Sequence, residues 1–265
     1  MPGHQECEVP LEGGFTNHGR VVRVGDTVRR PLRPSSPATH ALLEHLERVG
    51  FGGAPRFLGV DERGREVLSY VPGTAVTPPY PSWALTDEAL VSVAHLLREY
   101  HAAVAGLDPG PHPWPASPPP EFAGGLVSHN DLNLDNVVFR EGRAVAFIDF
   151  DLASPGSRVW DVAGAVRLWA PLRPDHHVGD SRRGQVLRRL RLFVDSYGPS
   201  AADRDRLVPA VRCNHDWSYD IVGTAVANGH AAFARYWWAG GARRRATETQ
   251  QWYRESADLL RDALS

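Results

Sequence analysis

Between His129 and Asp151 the chain reads HNDLNLDNVVFREGRAVAFIDFD, which gathers four aspartates and three asparagines beside one histidine. AVAFIDFD is an apolar run that ends in acids, and the two-residue period of a strand sends Asp149 and Asp151 to one face at its exit. LVSHNDLNLDNVVF sets a second acidic loop between two short apolar segments, and the turn REGR joins the two as a hairpin, so the loops lie side by side. A carboxylate and an amide carbonyl from neighbouring loops, completed by water, form the hard-oxygen surroundings that Mg²⁺ prefers. Asp and Asn also cap turns through nearby backbone groups, and Asn133 and Asp135 are read that way. That reading fails for the full set, because carboxylates crowded at a strand exit repel one another unless a cation offsets them.

Elements to position these loops are visible on both sides. LEGGFTNHGRVVRVGDTVRRP alternates β-branched residues with glycine turns, as in a small antiparallel meander. SSPATHALLEHLERVGF predicts a helix, with serine before Pro37, Leu42, Leu43 and Leu46 at helical spacing, and Gly50 past its end. PRFLGVDERGREVLSYVPG predicts two strands around a Glu-Arg-Gly turn, and Asp87 to Val104 an amphipathic helix. The proline-rich stretch DPGPHPWPASPPPEF is expected to be a solvated spacer. Beyond Asp151 the chain turns helical: Val162, Val166 and Trp169 share a face, as do Val186, Leu190 and Phe193. No repeat is apparent.

Of the 265 residues, 42% are hydrophobic and 23% charged, enough for a substantial core in one domain or two packed lobes. The formal net charge of −2 gives no general attraction to nucleic acid or anionic membrane. Arg182–Arg183 and Arg243–Arg245 read as solvated faces without interleaved aromatics, so no nucleic-acid partner is expected. The N-terminal stretch is not expected to be a signal peptide, no membrane-length apolar run is expected, and Cys7 and Cys213 stand alone; the expected location is the cytoplasm. All 29 basic residues are arginine, which excludes P-loop and Schiff-base lysine chemistry.

His129, Asp131, Asn136 and Asp149 follow the order of a kinase catalytic loop and its metal aspartate, His-x-Asp, four residues, Asn, then an Asp after a hairpin. The sequence thereby resembles the aminoglycoside phosphotransferase and choline kinase-like family of small-molecule kinases. It departs from the family's usual His-Gly-Asp in having Asn130. LLREYHAAV, VLSYVPG and VWDVAGAV resemble the helix before the catalytic loop, the hinge between lobes and the helix after the metal aspartate.

The resemblance implies an α+β, two-lobed protein-kinase-like fold, with a small β-rich N-terminal nucleotide-binding lobe over residues 1–71. A larger, mainly helical catalytic and substrate-binding lobe would follow over 72–265. It implies Asp131 as the catalytic residue, Asn136 and Asp149 on Mg²⁺, and ATP as phosphoryl donor, with GTP left open. Gly13 and Gly14 would lie in the loop over the phosphates, Arg30 would contact phosphate, and the backbone at Ser69, Tyr70 and Val71 would meet the base. Arg30 shares a face with Val28 on DTVRRP, and no acidic helix partner is clear: Glu44 and Glu47 are available, but His40 falls closer to the expected position. His129 is expected to be framework, Asp151 second to Asp149, and Asp161 an anchor for the catalytic-loop backbone.

The partner implied is a small molecule bearing a hydroxyl, and Asp216 and Asp220, at i and i+4, are candidates to meet an aminoglycoside's ammonium groups. Nothing in the sequence sets the oligomeric state. Two rivals stand beside this reading. One is a pseudokinase, suggested by the missing lysine; the other is a dinuclear metal phosphoesterase using His129, Asp131, Asp149 and Asp151, disfavoured because His176 and His177 sit in no recurring ligand spacing.

Overall fold

The computed structural model describes residues 7–11 and 20–265. The N-terminal strands β1 (Val9–Pro10), β2 (Val22–Val24) and β3 (Thr27–Pro31) precede helix α1 (Ser36–Arg48), and β4 (Phe57–Val60) and β5 (Arg65–Ser69) follow it. They form one antiparallel sheet in the order β1-β2-β3-β5-β4. Gly25, at φ +59°, makes the tight turn between β2 and β3, a backbone setting that costs glycine little. Asp61 closes the β4–β5 hairpin by accepting the N–H groups of Arg63 and Arg65. Leu42, Leu43 and Leu46 are buried, and α1 ends before Gly50 at φ +76°.

The second lobe opens with β6 (Thr74–Ala75) and α2 (Asp87–Ala103), capped where the Thr86 hydroxyl accepts the Ala89 N–H at 3.2 Å. Next come β7 (Leu126–Ser128), β8 (Val137–Arg140), β9 (Arg143–Phe147) and β10 (Ser154–Gly156). Strands β6, β8 and β9 make one small sheet, and β7 pairs with β10 in another. The helices α3 (Arg158–Trp169), α4 (Val186–Tyr197), α5 (Ala201–Ala227), α6 (Ala231–Ala234), α7 (Ala242–Glu255) and α8 (Ala257–Asp262) complete the chain, with a π-helical turn over Arg235–Ala239. No helix among the described residues is long and apolar enough to cross a membrane.

One expectation is extended here and two change. First, the face shared by Val162, Val166 and Trp169 is buried, and Val159, Trp160, Ala163 and Ala165 are buried as well, as in a central helix. Gly164 lets α5 approach, since a Cβ there would lie 3.3 Å from the Asn214 amide nitrogen. Second, the proline-rich stretch is a strap and not a solvated spacer. Trp114 packs on the core, Phe122 is buried against Trp160 with ring centroids 5.4 Å apart, and the Trp217 indole donates to the Ser117 carbonyl at 2.9 Å. Aromatic burial and carbonyl acceptors hold down a segment that proline alone leaves without a ladder. Third, Arg182 is not on a solvated face but only 2% exposed, while its neighbour Arg183 is exposed as expected. Arg182 donates to Asp180 and to the Leu168 carbonyl, while Arg183 donates to the Asp175 and Val178 carbonyls, so both staple a loop.

Candidate active site

The catalytic-loop candidates hang from α3. The Asp161 carboxylate, buried in its first turn, accepts the N–H of His129 at 2.8 Å and of Asn130 at 3.0 Å, and its Oδ2 lies 3.0 Å from His101 Nε2. The other His101 nitrogen meets the Tyr197 hydroxyl at 2.7 Å, so one carboxylate ties the loop to α2 and, through them, to α4. Burial acts to raise the Asp161 pKa, but the His101 contact and the two N–H donors outweigh it and hold the carboxyl below its ordinary range. At the far end of α3, the Trp169 indole donates to the Leu132 carbonyl at 3.0 Å.

Asn130, where a glycine is usual, adopts φ +66°. Asparagine tolerates this left-handed setting better than most residues. Its amide donates to the Leu152 carbonyl and the Ser154 hydroxyl, and its carbonyl accepts from the Trp160 indole at 3.0 Å. His129 is fully buried; its Nε2 donates to the Ile148 carbonyl and its Nδ1 accepts the Asp131 N–H. Burial pushes its pKa down, which favours the neutral ring. With both nitrogens engaged, His129 offers nothing to a metal, and this removes the phosphoesterase arrangement that required it.

Asp131, Asn136 and Asp149 come together. The Asn136 amide donates to the Asp131 carbonyl at 2.8 Å and to its carboxylate at 3.0 Å, and the Ile148 N–H donates to the Asn136 carbonyl at 2.9 Å. Asp149 follows directly, in the left-handed region at φ +61°. Asn133 is more than a turn residue, because its amide donates to Asp131 Oδ1. Burial pushes Asp131 up to about 7, helped by the charges of Asp149 and Asp135. A carboxylate, an amide oxygen and a second carboxylate, crowded until they resist ionising together, are a donor set that fits Mg²⁺.

Across the cleft, the Arg30 guanidinium reaches three acids: Nε lies 2.8 Å from Glu66, Nη1 3.0 Å from Asp149 and Nη2 3.0 Å from Asp151. Arg33 adds a second cation on Asp151 at 2.6 Å. Burial resists the Asp149 charge, but Arg30 and a hydrogen bond from Asp151 hold its pKa below the ordinary range. Burial and the Asp149 charge push Asp151 up to about 7. The acidic partner of Arg30 is therefore on β5 and not on α1: Glu44 and Glu47 are not used, and His40 of α1 lies 2.8 Å from Glu66 while stacking on Phe57 at 3.6 Å. Sequence reasoning missed Glu66, although the β3–β5 pairing sets it opposite Arg30.

Gly13 and Gly14 lie outside the described residues. The N–H of Ser69 donates to the Arg56 carbonyl at 2.9 Å and that of Tyr70 to the Asp26 carbonyl at 2.8 Å, so these two donors are spent on neighbouring backbone. On α5, Asp216 faces His215 at 3.0 Å and accepts from Gln250 at 3.3 Å, and Asp220 is exposed. His176 and His177 approach Glu248 at 3.3 and 2.7 Å, a third donor that spacing along the chain could not reveal.

A small antiparallel sheet over a helical lobe, with an acid-asparagine-acid cluster at their junction, defines a two-lobed kinase-like phosphotransferase fold. Residues 113–193 match the phosphotransferase enzyme family, and the chain belongs to that family. It is 34% identical over 209 residues to the trifolitoxin immunity protein of Rhizobium leguminosarum bv. trifolii, covering 76% of this chain and 78% of that protein. In fold it is similar to a choline/ethanolamine kinase family protein from Mesorhizobium loti, with a TM-score of 0.63, 15% identity, and coverage of 100% of this chain and 95% of the other. The GDP complex of aminoglycoside 2'-phosphotransferase-IIIa gives a TM-score of 0.55 at 14% identity, covering 97% and 92% of the two chains.

Proposed function

We propose that this protein transfers the γ-phosphoryl group of Mg·ATP to a hydroxyl of a small molecule. The observation that supports this most directly is the meeting of Asp131 and Asn136, at 3.0 Å, beside Asp149. Asp131 orients the acceptor hydroxyl and receives its proton. Asn136, through its carbonyl oxygen, and Asp149 hold Mg²⁺. The bound ion supplies neutralisation of the phosphate oxygens. Arg30 reaches the phosphates from the sheet, releasing part of its hold on Asp149 and Asp151, and the Val71 backbone meets the adenine. Asp161 and His129 hold the loop that carries Asp131, and Asp151 keeps Arg30 aimed at the cleft.

The likeness to an immunity protein favours a toxic natural product as acceptor, so that phosphorylation protects the cell. The experiment is phosphoryl transfer from Mg·ATP across a panel of hydroxylated antibiotics, amino alcohols and sugars. Asp131→Ala and Asp149→Ala should each lower turnover by about 10²–10⁴-fold, and transfer unaffected by either substitution would refute the proposal. The Arg30 contacts with both Asp149 and Asp151 favour one second reading, a nucleotide-binding module without turnover. Tight nucleotide binding with no transfer across the panel would establish that alternative.

A further inference from the structure

The turn after α3 brings a cation that makes no ion pair among the described residues toward the side of the catalytic loop. The Trp169 indole holds the Leu132 carbonyl, next to Asp131, the Leu172 N–H donates back to the Arg167 carbonyl at 3.0 Å, and the Tyr80 phenol lies in the electrostatic reach of both Asp135 of the catalytic loop and Arg173. Arg167 spends its guanidinium on neutral partners: Asn214 at 3.2 Å and the Ser218 hydroxyl at 3.0 Å. Arg173 is half-buried, forms no ion pair among the described residues, and its buried Nε has no hydrogen-bond partner. Of the two acids that follow it, Asp175 is exposed and accepts the Gly184 N–H at 3.0 Å, and Asp180 is taken by Arg182, with Nη2 at 2.7 Å and Nε at 2.9 Å. A half-buried guanidinium with an unmet donor is costly to keep unless something anionic completes it.

Other groups around it fit the same picture. Burial and the Arg182 charge hold the Arg173 pKa below its ordinary value against the opposing charge of Asp180. The Tyr219 phenol lies in the electrostatic reach of both Arg167 and Arg173, and its ring tilts against Trp237 with centroids 5.9 Å apart. The acids expected to receive ammonium groups are placed otherwise: Asp216 is engaged by His215 and Gln250, and Asp220 is exposed.

We infer that the acceptor of this phosphotransferase carries a carboxylate in addition to its hydroxyl, and that Arg173, with Arg167 beside it, receives that carboxylate. This inference rests on the phosphotransfer reading given above. It sets the chain apart from kinases of polycationic acceptors, for which an unpaired arginine beside the catalytic loop would be repulsive.

Calorimetric titration of the full chain with Mg·ADP bound tests it with matched probes. Gluconate and N-acetylserine carry the carboxylate, glucose and N-acetylserinamide are neutral, and glucosamine is cationic. The acids should bind at least about tenfold more tightly than the neutral and cationic partners, and Arg173→Gln should erase about that factor. Arg173→Lys, which keeps the charge, should retain most of the preference and keeps the test alive if the glutamine variant misfolds. Equal or tighter binding of glucosamine, no detectable binding of either acid, or an acid preference untouched in Arg173→Gln would each overturn the assignment. Failure of the parent chain to bind Mg·ADP would instead strike the phosphotransfer reading itself.

Discussion

Arginine at position 30 changes what the third strand can do. A lysine offers one compact charge, whereas the guanidinium fork meets Glu66, Asp149 and Asp151 at 2.8, 3.0 and 3.0 Å at once. Arg30→Lys should therefore act as a loss, lowering kcat/KM for Mg·ATP by at least about tenfold. Glu66→Gln should act in the same direction, with the effect mainly in KM, because Glu66 only holds the fork in place. Steady-state kinetics at varied nucleotide checks both. Asn130 makes a second residue-scale prediction. Asn130→Ala should cost roughly 1–2 kcal/mol for the left-handed backbone, and about 1 kcal/mol more for each hydrogen bond lost. Asn130→Gly escapes the first penalty but not the second, so urea unfolding should rank Asn, Gly, Ala in falling order of stability. Asp131, Asn136 and Asp149 could be found in the sequence because their spacing is local. Glu66 and His40 could not be connected to Arg30 so easily, since the link runs through strand pairing and a helix packed across it.

At the scale of elements, α3 organises the larger lobe from its first turn. Removing the Asp161 carboxylate leaves two buried N–H groups and His101 without their acceptor. Asp161→Ala should then destabilise the fold by about 3–5 kcal/mol. The sign with pH follows from its depressed pKa. As pH falls, the unfolded carboxyl takes up its proton first, near pH 3.9. The stabilisation is complete above that value and drains away as pH drops through the lower folded pKa. Asp161→Asn should remove this part of the acid-side slope in a plot of stability against pH; an unchanged slope would show that the carboxylate carries no such linkage. These contacts explain why the order of elements was readable but their surroundings were less so. Leucines at helical spacing in α1 announced both the helix and its buried face. Val162, Val166 and Trp169 announced α3 and one apolar face, but periodicity cannot tell one buried face from burial on every side. The proline-rich strap misled for a related reason: composition gives backbone stiffness, while Trp114, Phe122 and the Ser117 carbonyl decide where the strap lies.

For the molecule as a whole, the two lobes are joined by contacts of two kinds. The first is neutral, with the Phe147 N–H donating to the Gly53 carbonyl at 2.9 Å and His45 Nε2 lying 2.9 Å from the Ala103 carbonyl, and the second is the ionic set joining Arg30 and Arg33 to Asp149 and Asp151. The second of these runs through the very carboxylates proposed to hold the metal. Raising ionic strength should weaken that set less than an exposed pair, because Arg30 is buried and screening acts poorly on buried charges. Under the proposed function, a nucleotide would have to enter and rearrange this ionic set before it could settle. Loading should accordingly proceed in two stages, a quick encounter followed by a slower unlatching. In stopped-flow mixing, the observed rate should level off as nucleotide is raised, and Asp151→Asn should lift that ceiling.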